Sequence, residues 1–355
     1  MKRMARDPEK FGVLELFAAV ARKKNLRLDS DEDFRKFADL ALASLVSSQN
    51  SGTIIHGKRA EAMFAYIAGA LGKCALIKVE DAGDMFVKGL PMQAPDYRLV
   101  LDDGSIILVE VKNFNPKDIL EPFILTQKYY EKIQRYAATQ RIPLKIAIYF
   151  PSLGFWCLVS PSAFKKTRAG LEITVTKALA NNEMSTLGDI MIATLPRLRL
   201  EMMADVDEAN EIDAEGKAII IFRSGKIFCE ETELHNEIDQ RIAFYLMRFG
   251  RWKQKSWPVV RDNKLFGIVF TSSTDDTFEG QPFAGIGDLS SMIASAYSEY
   301  TVAEGKPFAL DVAQDPEDFG LTIPHDFRSQ QLPLWRFVLQ PNPDFQDIPM
   351  AHIGK

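Results

Sequence analysis

The chain has 355 residues, 46% hydrophobic and 26% charged, proportions that exclude a disordered, collagen-like or coiled-coil protein. No apolar run nears the roughly 20 residues of a membrane helix, and the first residues lack the apolar core of a signal peptide, so a cytoplasmic protein with no membrane partner is expected. The net charge of −5 divides unevenly: residues 1–200 carry 29 Lys+Arg against 22 Asp+Glu, and residues 201–355 carry 14 against 26, so the first part can hold a polyanion that the second would repel.

In chain order, Phe11, Leu14, Phe17, Ala18 and Val20 recur at helical spacing, and Asp29-Ser30-Asp31 offers N-caps for a second helix through Leu45. Ser47–Thr53 reads as a loop. A third helix is expected from about His56 to Leu71, its apolar face running Ala60, Met63, Phe64, Ile67, Ala68 and Leu71, with Gly72 as its stop. Strands are expected at Ala75–Val79, Met85–Val87, Tyr97–Leu101 and Ile106–Lys112, the last two joined by Asp102-Asp103-Gly104, a hairpin signal. A helix over Ile124–Ala138 and strands at Leu144–Phe150 and Phe155–Val159 follow.

This alternation predicts an α/β protein, a mixed central sheet flanked by helices. Its expected parts are an N-terminal helical segment (1–50), an α/β domain (51–200), an acidic linker (201–216) and an α+β domain (217–355). The last would hold strands Ala218–Phe222 and Lys226–Glu230, a helix over Glu231–Phe249, and strands near Pro258–Val260 and Phe266–Phe270.

The residues that carry chemistry lie on the hairpin. If Asp102-Asp103-Gly104 is a three-residue loop closed by a left-handed glycine, Leu101 pairs with Ser105 and Asp96 falls opposite Glu110. Lys112, two residues on, then shares their face, while Tyr97, Leu99, Leu101, Ile107, Val109 and Val111 form an apolar face ready for burial. A two-residue turn at Asp103-Gly104 would instead throw Asp96 to the other face. Two converging carboxylates repel unless a cation sits between them, and hard oxygen donors suit Mg²⁺ or Mn²⁺. A lysine beside them can orient or deprotonate water and steady charge on a phosphate. The competing account is a surface strand with an exposed ion pair of little worth.

With Pro95-Asp96 and Glu110-Val111-Lys112 in this order, preceded by a helix carrying Glu61 and followed by a helix and a strand, the stretch over residues 50–160 resembles the PD-(D/E)XK nuclease superfamily, which includes restriction endonucleases, Holliday-junction resolvases and Mrr-like enzymes. The resemblance implies a restriction-endonuclease-like fold and a metal-dependent endonuclease that hydrolyses DNA phosphodiesters through a metal-activated water. It implies Asp96 and Glu110 as the main ligands of Mg²⁺ (Mn²⁺ substituting), Glu61 as an additional ligand, and Lys112 as the catalytic lysine. Gln127 matches the glutamine that many relatives carry on the following helix, although the tyrosines here fall at +2 and +3 rather than +4. Restriction, or else repair, is the setting the resemblance implies, and cutting both strands would favour a homodimer. The alternative function is a non-catalytic, nuclease-like DNA-binding or scaffolding subunit.

Lys58 and Arg59 beside Glu61, and Lys128, Lys132 and Arg135 along one helical face, are candidate phosphate contacts of the sequence-independent, salt-sensitive kind; a solvated helix face accounts for them equally well. Tyr129, Tyr130 and Tyr136 read as helix packing in preference to base stacking. The four histidines, His56, His235, His325 and His352, lack zinc-ligand spacing. Cys74, Cys157 and Cys229 read as small core residues. No Walker loop or nucleophile elbow is present. Gln331-Leu332-Pro333-Leu334-Trp335 resembles the short peptide by which bacterial repair and replication proteins bind the sliding clamp; the same residues would also serve as an edge strand continuing to Phe337 and Leu339.

Overall fold

The structure is a computed structural model that describes residues 1–4, 8–81, 84–205, 210–324 and 326–346; His325 and His352 lie outside these. The protein is mixed α/β, and its chain divides into two compact units. The first comprises Met1–Gly188, Tyr297–Phe319 and the described part of 340–355; the second comprises Asp189–Ala296 and Gly320–Leu339. Among the described residues no helix is long and apolar enough to cross a membrane.

The first unit opens with α1 (Val13–Lys24) and α2 (Asp31–Gln49). The Ser30 hydroxyl caps α2 by accepting the Asp33 N–H at 3.3 Å, and Phe17 packs edge-on against Phe34 and Phe37. The expected loop at 47–53 shrinks to Asn50-Ser51, because α2 runs to Gln49 and α3 (Gly52–Ala70) begins at once. A five-stranded sheet follows, built from β1 (Cys74–Val79), β2 (Tyr97–Leu101), β3 (Ile106–Asn113), then, after β4 (Phe123–Thr126) and α4 (Gln127–Gln140), β5 (Leu144–Phe150) and β6 (Phe155–Val159). Its order is β1-β2-β3-β5-β6, antiparallel except for the β3–β5 pair.

Helices cover both faces of this sheet. On one, Phe64 of α3 meets the rings of Tyr97 and Trp156 at 6.0 and 5.6 Å. On the other, Ile133 and Ala137 of α4 join Leu108, Ile146 and Ile148 in one apolar core. The parallel pair is therefore buried on both sides, as its near-continuous apolar sequence requires.

Two expectations fail here for local reasons. Phe123–Thr126 begins no helix: its residues alternate buried and exposed, and it pairs as a strand with β8 (Gly170–Ile173), which lies between it and β7 (Lys165–Lys166). Met85–Val87 forms no strand, and Phe86 is 98% exposed. After β8 comes the short α5 (Val175–Ala180), capped by the Thr174 hydroxyl.

In the second unit the strands are β9 (Met191–Thr194), β10 (Arg197–Met203), β11 (Asn210–Glu211), β12 (Ser224–Cys229), β13 (Thr232–Glu233), β14 (Lys253–Arg261), β15 (Lys264–Ser273) and β16 (Ala284–Asp288). Six of them make a sheet, with β15 running between β14 and β10 and β12 on the far side of β10. Asp262 and Asn263, both with positive φ, make the tight turn between β14 and β15. Residues 201–216, expected as a linker, carry the end of β10 and all of β11, both paired with β15.

Ala218–Phe222 forms no strand. The expected helix from Glu231 starts later, as α6 (Glu237–Phe249), because Thr232–Glu233 pairs back onto β12 and Asn236 supplies the cap. Helix α7 (Leu289–Glu299) follows β16.

The last strand, β19 in a count that includes the short pair β17 (Val302–Ala303) and β18 (Lys306–Pro307), is Trp335–Phe337, at the edge of the sheet β16-β9-β19. Of the two expectations for Gln331–Trp335, the structure takes the edge strand from Trp335 onward. Leu332 is fully buried, Trp335 stacks on Phe283 with ring centroids 4.4 Å apart, and the Pro333 carbonyl accepts the Thr194 hydroxyl. Leu332, one of the side chains a clamp would need, is packed inside the unit, and Gln331, Leu334 and Trp335 are partly buried.

Candidate active site

The hairpin between β2 and β3 sets the site. Gly104 has φ of 82°, its N–H donates to the Leu101 carbonyl, and the Leu101 N–H donates to the Ser105 carbonyl. The loop is therefore three residues long, the left-handed position falling on the glycine that tolerates it. Pairs Leu99↔Ile107 and Tyr97↔Val109 continue to place Asp96 opposite Glu110. There Asp96 Oδ2 accepts the Val111 backbone N–H at 2.7 Å.

Because β3 lies between β2 and β5, with α4 across its face, Glu110 is only 1% exposed. A buried carboxylate needs donors, and Glu110 Oε1 has two. The Tyr129 hydroxyl donates to it at 2.5 Å, and the Lys112 ammonium forms an ion pair with it. The same ammonium lies 4.9 Å from the centre of the Tyr129 ring, a cation–π contact. Gln93 closes the chain, its side-chain amide donating to the Tyr129 hydroxyl at 3.2 Å.

Asp96 has the opposite balance. Burial, then the charges of Glu110 and Glu61, raise its carboxyl to about 7, against the lowering effects of the Val111 N–H and Lys112. Negative charge is in excess here. Glu61 stands on α3 with its carboxylate 2.5 Å from the Lys58 ammonium, and its backbone carbonyl accepts the Tyr97 hydroxyl at 3.0 Å. Burial alone would lower the Lys58 ammonium, but Glu61, Asp96 and Asp81 together raise it.

Asp96, Glu110 and Lys112 thus come together, and Glu61 is near enough to act on Asp96. Gln127 is not drawn in: it is exposed, and its amide donates to Glu131 on its own helix. Arg59 does not belong to a phosphate-facing surface. It is 8% exposed, and its guanidinium donates to the hydroxyls of Thr301 and Ser298 while lying over the Tyr297 ring.

Arg135 donates to the Pro91 carbonyl and pairs with Glu131. The Lys132 carbonyl accepts the Gln93 N–H, while Lys128 is exposed. Tyr129 and Gln93 were not expected at the site. The signal for Tyr129 is its place on the buried stripe of α4 with Ile133 and Ala137, since a tyrosine at the head of such a stripe must give its hydroxyl a partner.

Among the described residues, no group of three or more His, Cys, Asp or Glu side chains is gathered closely enough to hold a metal ion. The arrangement offers two carboxylates, with Glu61 held aside by Lys58. Their chemistry fits a hard divalent cation: the donors are oxygens, their charge is under-compensated, and no hydrogen bond among the described residues engages Asp96 Oδ1 or Glu110 Oε2.

No protein-family model matches the chain, and no curated protein matches it. Among solved structures it is similar to Hjc of Archaeoglobus fulgidus, a Holliday junction resolvase from an archaeal hyperthermophile, at 16% identity, over 27% of this chain and 74% of that one, with a TM-score of 0.22. A likeness at that score carries no argument about fold or activity.

Proposed function

We propose that the first unit is a divalent-metal-dependent nuclease that hydrolyses DNA phosphodiester bonds internally, using Asp96, Glu110 and Lys112. The observation that carries this reading is the facing of Asp96 and Glu110 across the hairpin, beside Lys112, in a place where burial and then the charges of Glu110 and Glu61 raise the Asp96 carboxyl to about 7. Asp96 and Glu110 would hold Mg²⁺ or Mn²⁺, with Glu61 completing the set once it leaves Lys58. When bound, such an ion supplies Lewis acidity for the attacking water and the phosphate.

The chain's own groups do the rest. The Val111 N–H fixes the Asp96 carboxylate, and Tyr129 and Lys112 fix Glu110; the Lys112 ammonium would then steady the charge that develops on a bound phosphate. Lys58 and Lys128, which are exposed, are proposed to contact the phosphate backbone.

The test is cleavage of supercoiled plasmid and linear duplex with Mg²⁺, Mn²⁺ or EDTA, comparing wild type with Lys112→Ala. Metal-dependent nicking or linearisation that the variant loses is expected. Cleavage indifferent to both EDTA and the substitution overturns the assignment. Loss of linear DNA while circles survive makes the enzyme an exonuclease. Salt-sensitive binding with no cleavage by either protein leaves a nuclease-like binding module.

A further inference from the structure

Resting on that reading, we infer that Tyr129 is a positioning residue for Lys112 and Glu110. One carboxylate oxygen, Glu110 Oε1, receives both the Tyr129 hydroxyl and the Lys112 ammonium, and the ring that carries the hydroxyl also carries the ammonium on its face at 4.9 Å. The three groups form a closed triangle in which Tyr129 makes two distinct contacts, a hydrogen bond through its hydroxyl and a cation–π contact through its ring.

The triangle addresses a difficulty of the site. Lys112 is held by Glu110, yet Glu110 is also a proposed cation donor. When the carboxylate turns its charge toward a divalent ion, the ion pair weakens, and a lysine on a flexible stem would swing into water. The face of Tyr129 keeps the ammonium beside the reacting phosphate, because the attraction of a cation to an aromatic ring does not depend on Glu110. The hydroxyl meanwhile keeps Glu110 in one rotamer through the exchange of partners.

The tyrosine is anchored for this role. Gln93 Nε2 donates to its hydroxyl, and the Gln93 N–H and the Pro91 carbonyl tie the same segment to Lys132 and Arg135 of α4. Two residues beyond Gln93, that segment enters Pro95-Asp96. Tyr129 thus links Glu110 to the segment that leads into Asp96, and the same segment is held to α4 at Lys132 and Arg135.

Tyr129→Phe and Tyr129→Leu separate the two contacts. The phenylalanine keeps the ring and loses the hydroxyl, and should lower kcat for plasmid nicking about tenfold; the leucine loses both, and should lower it about a hundredfold. KM should stay within about twofold in each, since neither contact is made to DNA. Equal losses in the two variants overturn the role of the ring, and unchanged kcat in both, with Lys112→Ala inactive, overturns the inference while leaving the nuclease intact.

A second readout needs no turnover. Adding Mg²⁺ to the protein without DNA should perturb the near-ultraviolet tyrosine absorbance of wild type, and Tyr129→Phe should lose that difference spectrum. A spectrum identical in the two proteins overturns the inference. No spectrum in either, together with no thermal shift on adding Mg²⁺, overturns the metal reading itself.

Discussion

Two aspartates, one in each unit, have carboxyls pushed up to about 7, in both cases first by burial, and they differ in the groups around them. Asp189 is 8% exposed, and both its oxygens are satisfied at the first turn of α7: Oδ1 accepts the Ser290 N–H at 2.9 Å and Oδ2 the Ser290 hydroxyl at 2.5 Å. Burial raises it, the bonds from Ser290 resist, and the one acidic neighbour that adds to the rise, Asp288, has Arg251 3.8 Å away. Asp96 has one backbone donor and is pressed by Glu110 and Glu61. Asp189 is thus a helix cap that loses solvation, whereas Asp96 belongs to a group of carboxylates short of positive charge. A raised carboxyl does not by itself mark a site; uncompensated neighbours of the same sign do.

The largest expected effect breaks the comparison on activity. Asp96→Asn should reduce plasmid nicking about a thousandfold, within the range for loss of one group from a catalytic set, while Asp189→Asn should leave the nicking rate within about twofold. Equal losses would mean that the second aspartate is also part of the chemistry. Equal indifference would remove Asp96 from it.

Stability against pH sharpens the comparison. A carboxyl whose folded value lies above its unfolded value near 3.8 binds its proton more tightly in the folded state. Stability is then fullest below pH 4 as far as these two groups are concerned, and falls as pH rises to about 7. Each carboxyl contributes at most about 4 kcal/mol to that fall, from 1.36 kcal/mol per unit. Either asparagine variant should flatten the slope in urea unfolding between pH 4 and 7. Mg²⁺ should flatten only the share that belongs to Asp96, raising wild-type stability at pH 8 by about 1–3 kcal/mol at saturating concentrations and leaving Asp96→Asn unmoved. A cation effect that persists in that variant would place the ion elsewhere.

A smaller effect isolates the cap. Asp189→Ala should cost about 1 kcal/mol at pH 5, the usual size of a lost side-chain cap, read as a shift in the urea midpoint with unchanged slope. A cost near zero would show that α7 does not depend on the bond to Ser290.

What could be read from the chain alone follows the range of the forces involved. The hairpin, its turn and the facing of Asp96 and Glu110 depend on residues fewer than twenty apart, and alternation with a glycine at the turn narrows them to two registers, of which the structure takes the three-residue loop. Arg59 reads as a surface cation from its neighbours alone because its partners, Ser298 and Thr301, lie about 240 residues downstream. Its neighbours Lys58 and Glu61 suggested a charged surface. The tail peptide was ambiguous for a similar reason: β9, to which β19 pairs, lies far upstream. Tyr129 was visible as a buried-face residue, but the identity of its partner depended on how α4 lies across β3.

The smallest expected effect concerns the basic face of α4. By helical spacing Lys128, Lys132 and Arg135 are equivalent phosphate contacts, but the structure separates them. Lys128 is exposed, whereas Arg135 holds the Pro91 carbonyl and Glu131. If phosphate contact requires a free cation, Lys128→Ala should lower the slope of log affinity against log salt for duplex binding by about 0.9 and weaken binding two- to threefold. Arg135→Ala should leave that slope unchanged and act instead on kcat, through the segment that leads into Asp96. The reverse pattern would mean that Arg135 leaves Pro91 and Glu131 when DNA arrives, and that helical spacing, rather than the contacts of the free protein, is the better guide to where the phosphates lie.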